Sequence, residues 1–179
     1  MNIPDLLSVA IQRSALDVFS TMLGAKIEVR DIHSAAPIPD DQDGVVSFIG
    51  LAGPWVGTGS IRCSPALACR FCAQLLQTEK PSLDEEVLDA VAEMTNMIVG
   101  GVKTELERDL GPLGLSIPTV IFGRNFKTKS AGGADWTVER FLWGTEEFEV
   151  RVCLALNEKH SAVPARPLAC PVEVRTING

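Results

Sequence analysis

Residues 82–112 read SLDEEVLDAVAEMTNMIVGGVKTELERDLGP, and the pattern is that of one long helix. Ser82 and Glu85 fit a capping box, with Pro81 just before them. Asp84, Glu85 and Glu86 put negative charge at the positive end of the helix dipole. Gly111 and Pro112 end it. At roughly 1.5 Å per residue such a helix is about 40 Å long, close to the width of a small domain. Two faces separate at about 100° per residue. Leu88, Val91, Thr95, Ile98, Val99, Val102 and Leu106 share an arc roughly 100° wide, the expected core face. Asp89, Glu93, Asn96 and Gly100 fall within about 60° of one another on nearly the opposite side. Two mid-helix glycines, Gly100 and Gly101, cost roughly 1 kcal/mol each relative to alanine. Close approach of another backbone or protein would justify that cost.

Around this helix the chain has the profile of a globular domain. Hydrophobic residues are 46% and charged ones 22% of the 179, so a good core is within reach. The net charge of −7 argues against nucleic acid and against anionic membranes, since no basic patch is available to neutralise phosphates. A basic rim on a protein partner would suit it. The sequence has no apolar run of transmembrane length and no signal-peptide pattern at its start. Five cysteines is an odd count, and they lie mostly in apolar stretches, so reduced thiols and a cytoplasmic setting are expected.

Residues 4–23 open as a helix at Pro4 and Asp5, with Leu6, Leu7, Val9, Ala10, Leu16, Phe19 and Leu23 in helical period and Gly24 as its end. A short extended segment is expected at 26–32. The 34–44 loop holds Asp40, Asp41 and Asp43, which lack the spacing of a calcium loop. Strands are expected at 45–51 and 56–63, joined at Gly53-Pro54. Gly57-Thr58-Gly59-Ser60 reads as strand and turn. Ser64-Pro65 starts a helix over 66–77 that carries Cys69-x-x-Cys72, a spacing that suits burial here because no second Cys pair or nearby His accompanies it. A strand at 115–122 contains Pro118, which points to a sheet edge or a strand start. After a basic, glycine-rich loop at 123–133, strands at 136–143 and 147–156 form a hairpin turning at Gly144-Thr145. One domain is expected over 1–157. The tail, 158–179, has three prolines and little periodicity, and is expected to be extended or disordered. His33 and His160 fall in loops without metal-ligand neighbours, and there is no nucleophile elbow, P-loop or dinucleotide fingerprint.

A weak internal repeat lays residues 15–25, ALDVFSTMLGA, over 91–101, VAEMTNMIVGG. Asp17 then falls on Glu93, Ser20 on Asn96 and Gly24 on Gly100. Each of these helices is followed later by a strand hairpin.

Polar residues on the outer face of a helix are ordinarily just solvated. The pattern Asp89-x-x-x-Glu93-x-x-Asn96, followed by Met97, Ile98, Val99 and Gly100, goes further. It resembles the signature of the CheX, CheC and FliY family of chemotaxis phosphatases, in which an acidic or serine residue, then Glu, then Asn project from one exposed helix. Ser116-Ile117-Pro118-Thr119-Val120-Ile121-Phe122-Gly123 is similar to the family segment after that helix. The resemblance covers residues 5–156 and implies an α+β fold, a mainly antiparallel sheet with long helices packed on it, pseudo-symmetric in the CheC manner. The first repeat would be degenerate, since Ser20 cannot present a carboxamide; one intact signature is CheX-like and implies a homodimer. The implied substrate is a phosphorylated CheY-like response regulator. Asn96 would position the attacking water, Glu93 would pair with the receiver's lysine, and Asp89 and Gly100 would belong to the docking surface. Magnesium would come with the receiver; no metal site is expected in this chain. A non-catalytic adaptor using the same helix is the alternative. A flagellar-switch component would call for an added C-terminal domain.

Overall fold

The computed structural model describes residues 2–30, 44–123 and 135–158, and among these it contains three helices and seven strands. Helix α1 is Ile3–Met22, α2 is Pro65–Leu76 and α3 is Glu85–Leu110. The strands are β1 Glu28–Arg30, β2 Gly44–Ala52, β3 Trp55–Cys63, β4 Gly114–Leu115, β5 Thr119–Gly123, β6 Thr137–Trp143 and β7 Glu146–Leu156. The expectations for 34–43, for 124–133, for His33 and His160 and for the tail beyond Glu158 lie outside the described residues.

All pairings are antiparallel, in the order β1-β6-β7-β3-β2, with β4 and β5 both along the outer edge of β2. Exchanging β1, β2 and β3 with β5, β6 and β7 reverses this order onto itself about the central β3–β7 pair. The helices follow suit, α1 against β6 and β7, α3 against β2 and β3. The fold is therefore α+β and pseudo-symmetric. The repeat also shows in burial: Ala15, Val18 and Phe19 are buried as Val91, Met94 and Thr95 are, while Asp17 and Ser20 are exposed as Glu93 and Asn96 are.

Helix packing covers one face of the sheet. Ile49, Ile61, Val150 and Val152 from the strands meet Phe19, Phe71, Met94, Ile98 and Val99 in a single core. On α1, Val9 and Leu16 are each 40% exposed rather than buried, because the helix meets the sheet along Leu7, Ile11, Ala15, Val18 and Phe19 instead. The other face carries a charged row. Since Phe148 and Val150 point to the helices, Glu149 points away, opposite Arg62 on β3 and Arg140 on β6. Glu149 is 1% exposed and accepts from Arg140 Nε at 2.9 Å and also from Arg151.

Three expectations about local structure need correction. The α3 N-cap is Asp84, not Ser82: its Oδ1 accepts from Val87 N at 2.9 Å. Lys80, bridging Asp84 and Glu86, holds the approach two residues later than the capping-box reading. The 115–122 strand is two pieces. Leu51 pairs Leu115 but Phe48 pairs Thr119, so Ser116, Ile117 and Pro118 face only two residues of β2. This is a β-bulge on an edge strand, and proline, which cannot donate to the ladder, sits in it. Finally, Gly57 to Ser60 is strand throughout, in β3, without a turn.

Both ends of α3 are tied by carboxylates. The Val87 N–H, and secondarily Lys80, hold Asp84 below its ordinary value. The Leu113 N–H, at 2.8 Å from Glu107 Oε1, and then Lys103 do the same for Glu107. A carboxylate whose folded pKa is lowered adds stability above its unfolded pKa, near 4, and loses it as pH falls through the folded value. Acid should therefore loosen α3 below about pH 4. Asp84→Asn, which keeps a capping oxygen but no titration, should flatten the fall in urea midpoint between pH 5 and 2. An unchanged slope would show that other groups carry the acid sensitivity.

Candidate functional site

Helix α3 is placed by packing that the glycines permit. A Cβ on Gly101 would lie 2.2 Å from Ser14 Oγ on α1. Glycine there lets the two helices approach closely enough for the Ser14 hydroxyl to donate to Ile98 O at 2.6 Å. Gly59 does the same beneath the helix, where a Cβ would lie 2.6 Å from Val99 Cγ1. Flanked by α1 and α2 and seated on the sheet, α3 buries Val87, Ala90 and Met94 in addition to the expected Val91, Thr95, Ile98, Val99, Val102 and Leu106. The buried arc is about 180° wide rather than 100°. Leu88, expected in it, is only half-buried in the first turn.

What remains outward is narrow. Asp89, Glu93 and Asn96 are all exposed, and Gly100 is half-buried. Successive members lie about one turn apart, so the three side chains form a column on one ridge of the helix. None of the three makes a side-chain hydrogen bond or ion pair with the described residues. The neighbouring hydroxyls are occupied: Thr95 Oγ1 donates to Val91 O at 2.8 Å and Thr104 Oγ1 to Gly100 O at 2.9 Å. A carboxamide with free donor and acceptor ends thus stands one turn from a free carboxylate.

The two mid-helix glycines differ. Gly101 is required inside the chain, whereas a Cβ on Gly100 would meet only Leu115 Cδ1, at an ordinary 3.8 Å. Nothing within the described fold demands a glycine at position 100.

The matching ridge on α1 is closed on itself. Ser20 Oγ donates to Asp17 O at 3.0 Å, and Thr21 Oγ1 donates to the same carbonyl at 2.8 Å. Gly24, at φ +58°, lies just past the C-cap of α1, so the helix stops where α3 runs on.

Other chemistry finds few candidates. The four described cysteines are unpaired. Cys72 is buried and donates to Glu86 O at 3.6 Å, and desolvation pushes both the Cys69 and Cys72 thiols up, away from the reactive thiolate. Among the described residues no group of three or more His, Cys, Asp or Glu side chains could hold a metal ion. No helix among them is long and apolar enough to cross a membrane.

Comparison with known proteins bears on the family and the fold. The family model for Chemotaxis phosphatase CheX matches residues 45–141, just over half of the chain. No curated protein matches the chain. Among solved structures, the chemotaxis protein CheX from Vibrio vulnificus superposes with a TM-score of 0.73 at 22% identity, over 87% of this chain and 100% of that one. A CheC-like superfamily protein from Shewanella sp. PV-4 gives 0.69 at 25% identity, over 87% and 99%. A CheX–CheY–BeF3–Mg complex from Borrelia burgdorferi gives 0.63 at 22% identity, over 82% and 96%.

Proposed function

The chain belongs to the CheX family of chemotaxis phosphatases, and on that premise we propose that it hydrolyses the aspartyl phosphate of a CheY-like response regulator. One observation carries the reading: Glu93 and Asn96 stand exposed and without side-chain partners on one ridge of a helix whose other faces are packed. Phosphoryl transfer asks little covalent chemistry of a catalyst. It needs a water held in line with the leaving oxygen, and charge stabilised around the phosphoryl group. The Asn96 carboxamide accepts from and donates to that water. Glu93, one turn earlier, pairs with the receiver's lysine and fixes the angle at which α3 enters. Asp89 contacts the receiver a further turn back, and Gly100 lets its backbone come close. Magnesium comes with the receiver in this reading; the Borrelia burgdorferi assembly contains CheX, CheY and Mg together.

The test is to incubate this protein with a panel of phosphorylated receiver domains and follow phosphate loss. Hydrolysis of one of them is the expected result. Binding without any hydrolysis would replace this reading with that of an adaptor using the same helix.

We also propose a homodimer. Among the described residues, strands β1 and β5 are the outermost of the sheet and leave open edges, which proteins usually cover or pair. Sedimentation equilibrium at micromolar concentration should give twice the chain mass, and a monomer at high concentration would overturn it.

A further inference from the structure

The bulge at Ser116 to Pro118 leaves Ile117 87% exposed, well above any other large apolar side chain among the described residues. Exposed apolar residues are common on surfaces. This one differs in how firmly its backbone is held. Ser116 N donates to Gly50 O at 2.9 Å, and Gly50 N donates to Ser116 Oγ at 2.8 Å. Pro118 restricts the residue before it, Ile117, to extended backbone. A held backbone carrying a β-branched side chain loses little entropy on being covered, so the residue is pre-organised for contact.

Its position relates it to α3. Leu115 Cδ1 lies 3.8 Å from where a Gly100 Cβ would be, and Val99 sits over Gly59. Gly59 pairs with Ile49, and the next position outward on that rung is the bulge. Ile117, two residues after Leu115, therefore lies on the sheet edge that runs beside the Gly100 end of α3. Phe122, 47% exposed, lies further along the same edge strand, opposite Val45. The Gly53–Pro54 turn marks the C-terminal end of α3, since Gly53 packs on Pro112. Phe122 is thus displaced toward the N-terminal end, where Asp89 and Glu93 stand.

We infer that the docking surface has two strips, the polar ridge of α3 and an apolar rim on the β4–β5 edge, with Ile117 as the residue that inserts into the receiver domain. The inference rests on the phosphatase reading above and names what that site uses for affinity. The polar ridge supplies orientation and chemistry, and a carboxylate and a carboxamide in water supply little binding energy. Burying one isoleucine supplies more, because its hydration is released without a polar group losing a partner. The receiver must present an apolar patch adjoining its phosphorylation site. Binding should accordingly resist salt more than a purely charged interface would.

The experiment compares wild type with Ile117→Ser. A CheY-type receiver loaded with beryllofluoride and magnesium serves for binding, and the same receiver, phosphorylated, for kinetics. The substitution should weaken binding and raise KM about tenfold, with kcat and thermal stability unchanged, since the side chain makes few contacts within the chain. Ile117→Leu should restore most of the affinity. Binding and KM equal to wild type in Ile117→Ser would overturn the role of Ile117 while leaving the phosphatase reading intact. A variant that instead turns a dimer into a monomer with unchanged KM would assign Ile117 to a contact between copies and overturn it as well. A wild type that neither binds nor hydrolyses any receiver would remove the phosphatase reading itself, and this inference with it.

Discussion

Asn96→Ala should lower the turnover of a phosphorylated receiver about 100-fold, some 2.7 kcal/mol of transition-state stabilisation. The reason is the position of the carboxamide. Asn96 is exposed on the outer ridge of α3, its side chain has no hydrogen-bond partner among the described residues, and its neighbour Thr95 donates its hydroxyl to Val91 O. Removing the amide costs the fold nothing that it uses, and alanine is the better helix former by a few tenths of a kcal/mol. Affinity should survive, because Glu93, Asp89 and the apolar rim remain. Glu93→Ala should behave differently, weakening both binding and rate, since a lost ion pair with the receiver's lysine also frees the helix to enter at other angles. Dephosphorylation rate against enzyme concentration, with separate binding titrations, divides the two effects. Near-normal turnover by Asn96→Ala on a receiver that wild type dephosphorylates would show that the water is positioned by another group.

The site was more legible in the sequence than the surface around it. The outward placement of Glu93 and Asn96 was legible because helical period is local: the apolar positions on α3 fix which side faces inward, and the polar column must then face out. Both hairpins were likewise local, marked by Gly53-Pro54 and Gly144-Thr145. Features that depend on a distant partner were not readable. Gly59 and Val99 are 40 residues apart in sequence, so nothing around Gly59 shows that a helix presses on it. The same holds for Ser14 and Gly101, and for the Arg140–Glu149 pair on the outer face of the sheet. Ser82 was read as the N-cap from its spacing to Glu85, yet Asp84 is an equally good cap and it is the Asp84 carboxylate that accepts from Val87 N. Pro118 did signal an edge. It did not signal a bulge, because that depends on register with β2, and register is set by both strands.

Gly59→Ala should destabilise the fold by about 1–3 kcal/mol, the usual range for overpacking a core. A Cβ there would lie 2.6 and 2.7 Å from the two γ-methyls of Val99, and Val99 is fully buried. Valine in a helix has essentially one rotamer, so neither methyl can swing aside. The strain must then be relieved by lifting α3 off β3. Val99→Ala alone should cost about 2 kcal/mol, through lost contacts and a small cavity. In the double variant the new methyl occupies part of the space the old ones left. Its cost should fall short of the sum of the single costs by about 1 kcal/mol or more, the sign expected when one change relieves the strain of the other. Activity should follow position as well as stability. Val99 is three residues from Asn96, on the same rigid helix, and a displacement of about 1 Å at a positioned group can cost on the order of 100-fold in rate. Gly59→Ala should therefore lose more turnover than its folded fraction explains, and the double variant should regain it. Urea denaturation of the four proteins, with turnover measured on folded samples, gives both quantities. Single costs that add to within about 0.5 kcal/mol would mean that Val99 and Gly59 do not set the height of the helix. Turnover unchanged in a folded Gly59→Ala protein would mean that Asn96 does not depend on that height.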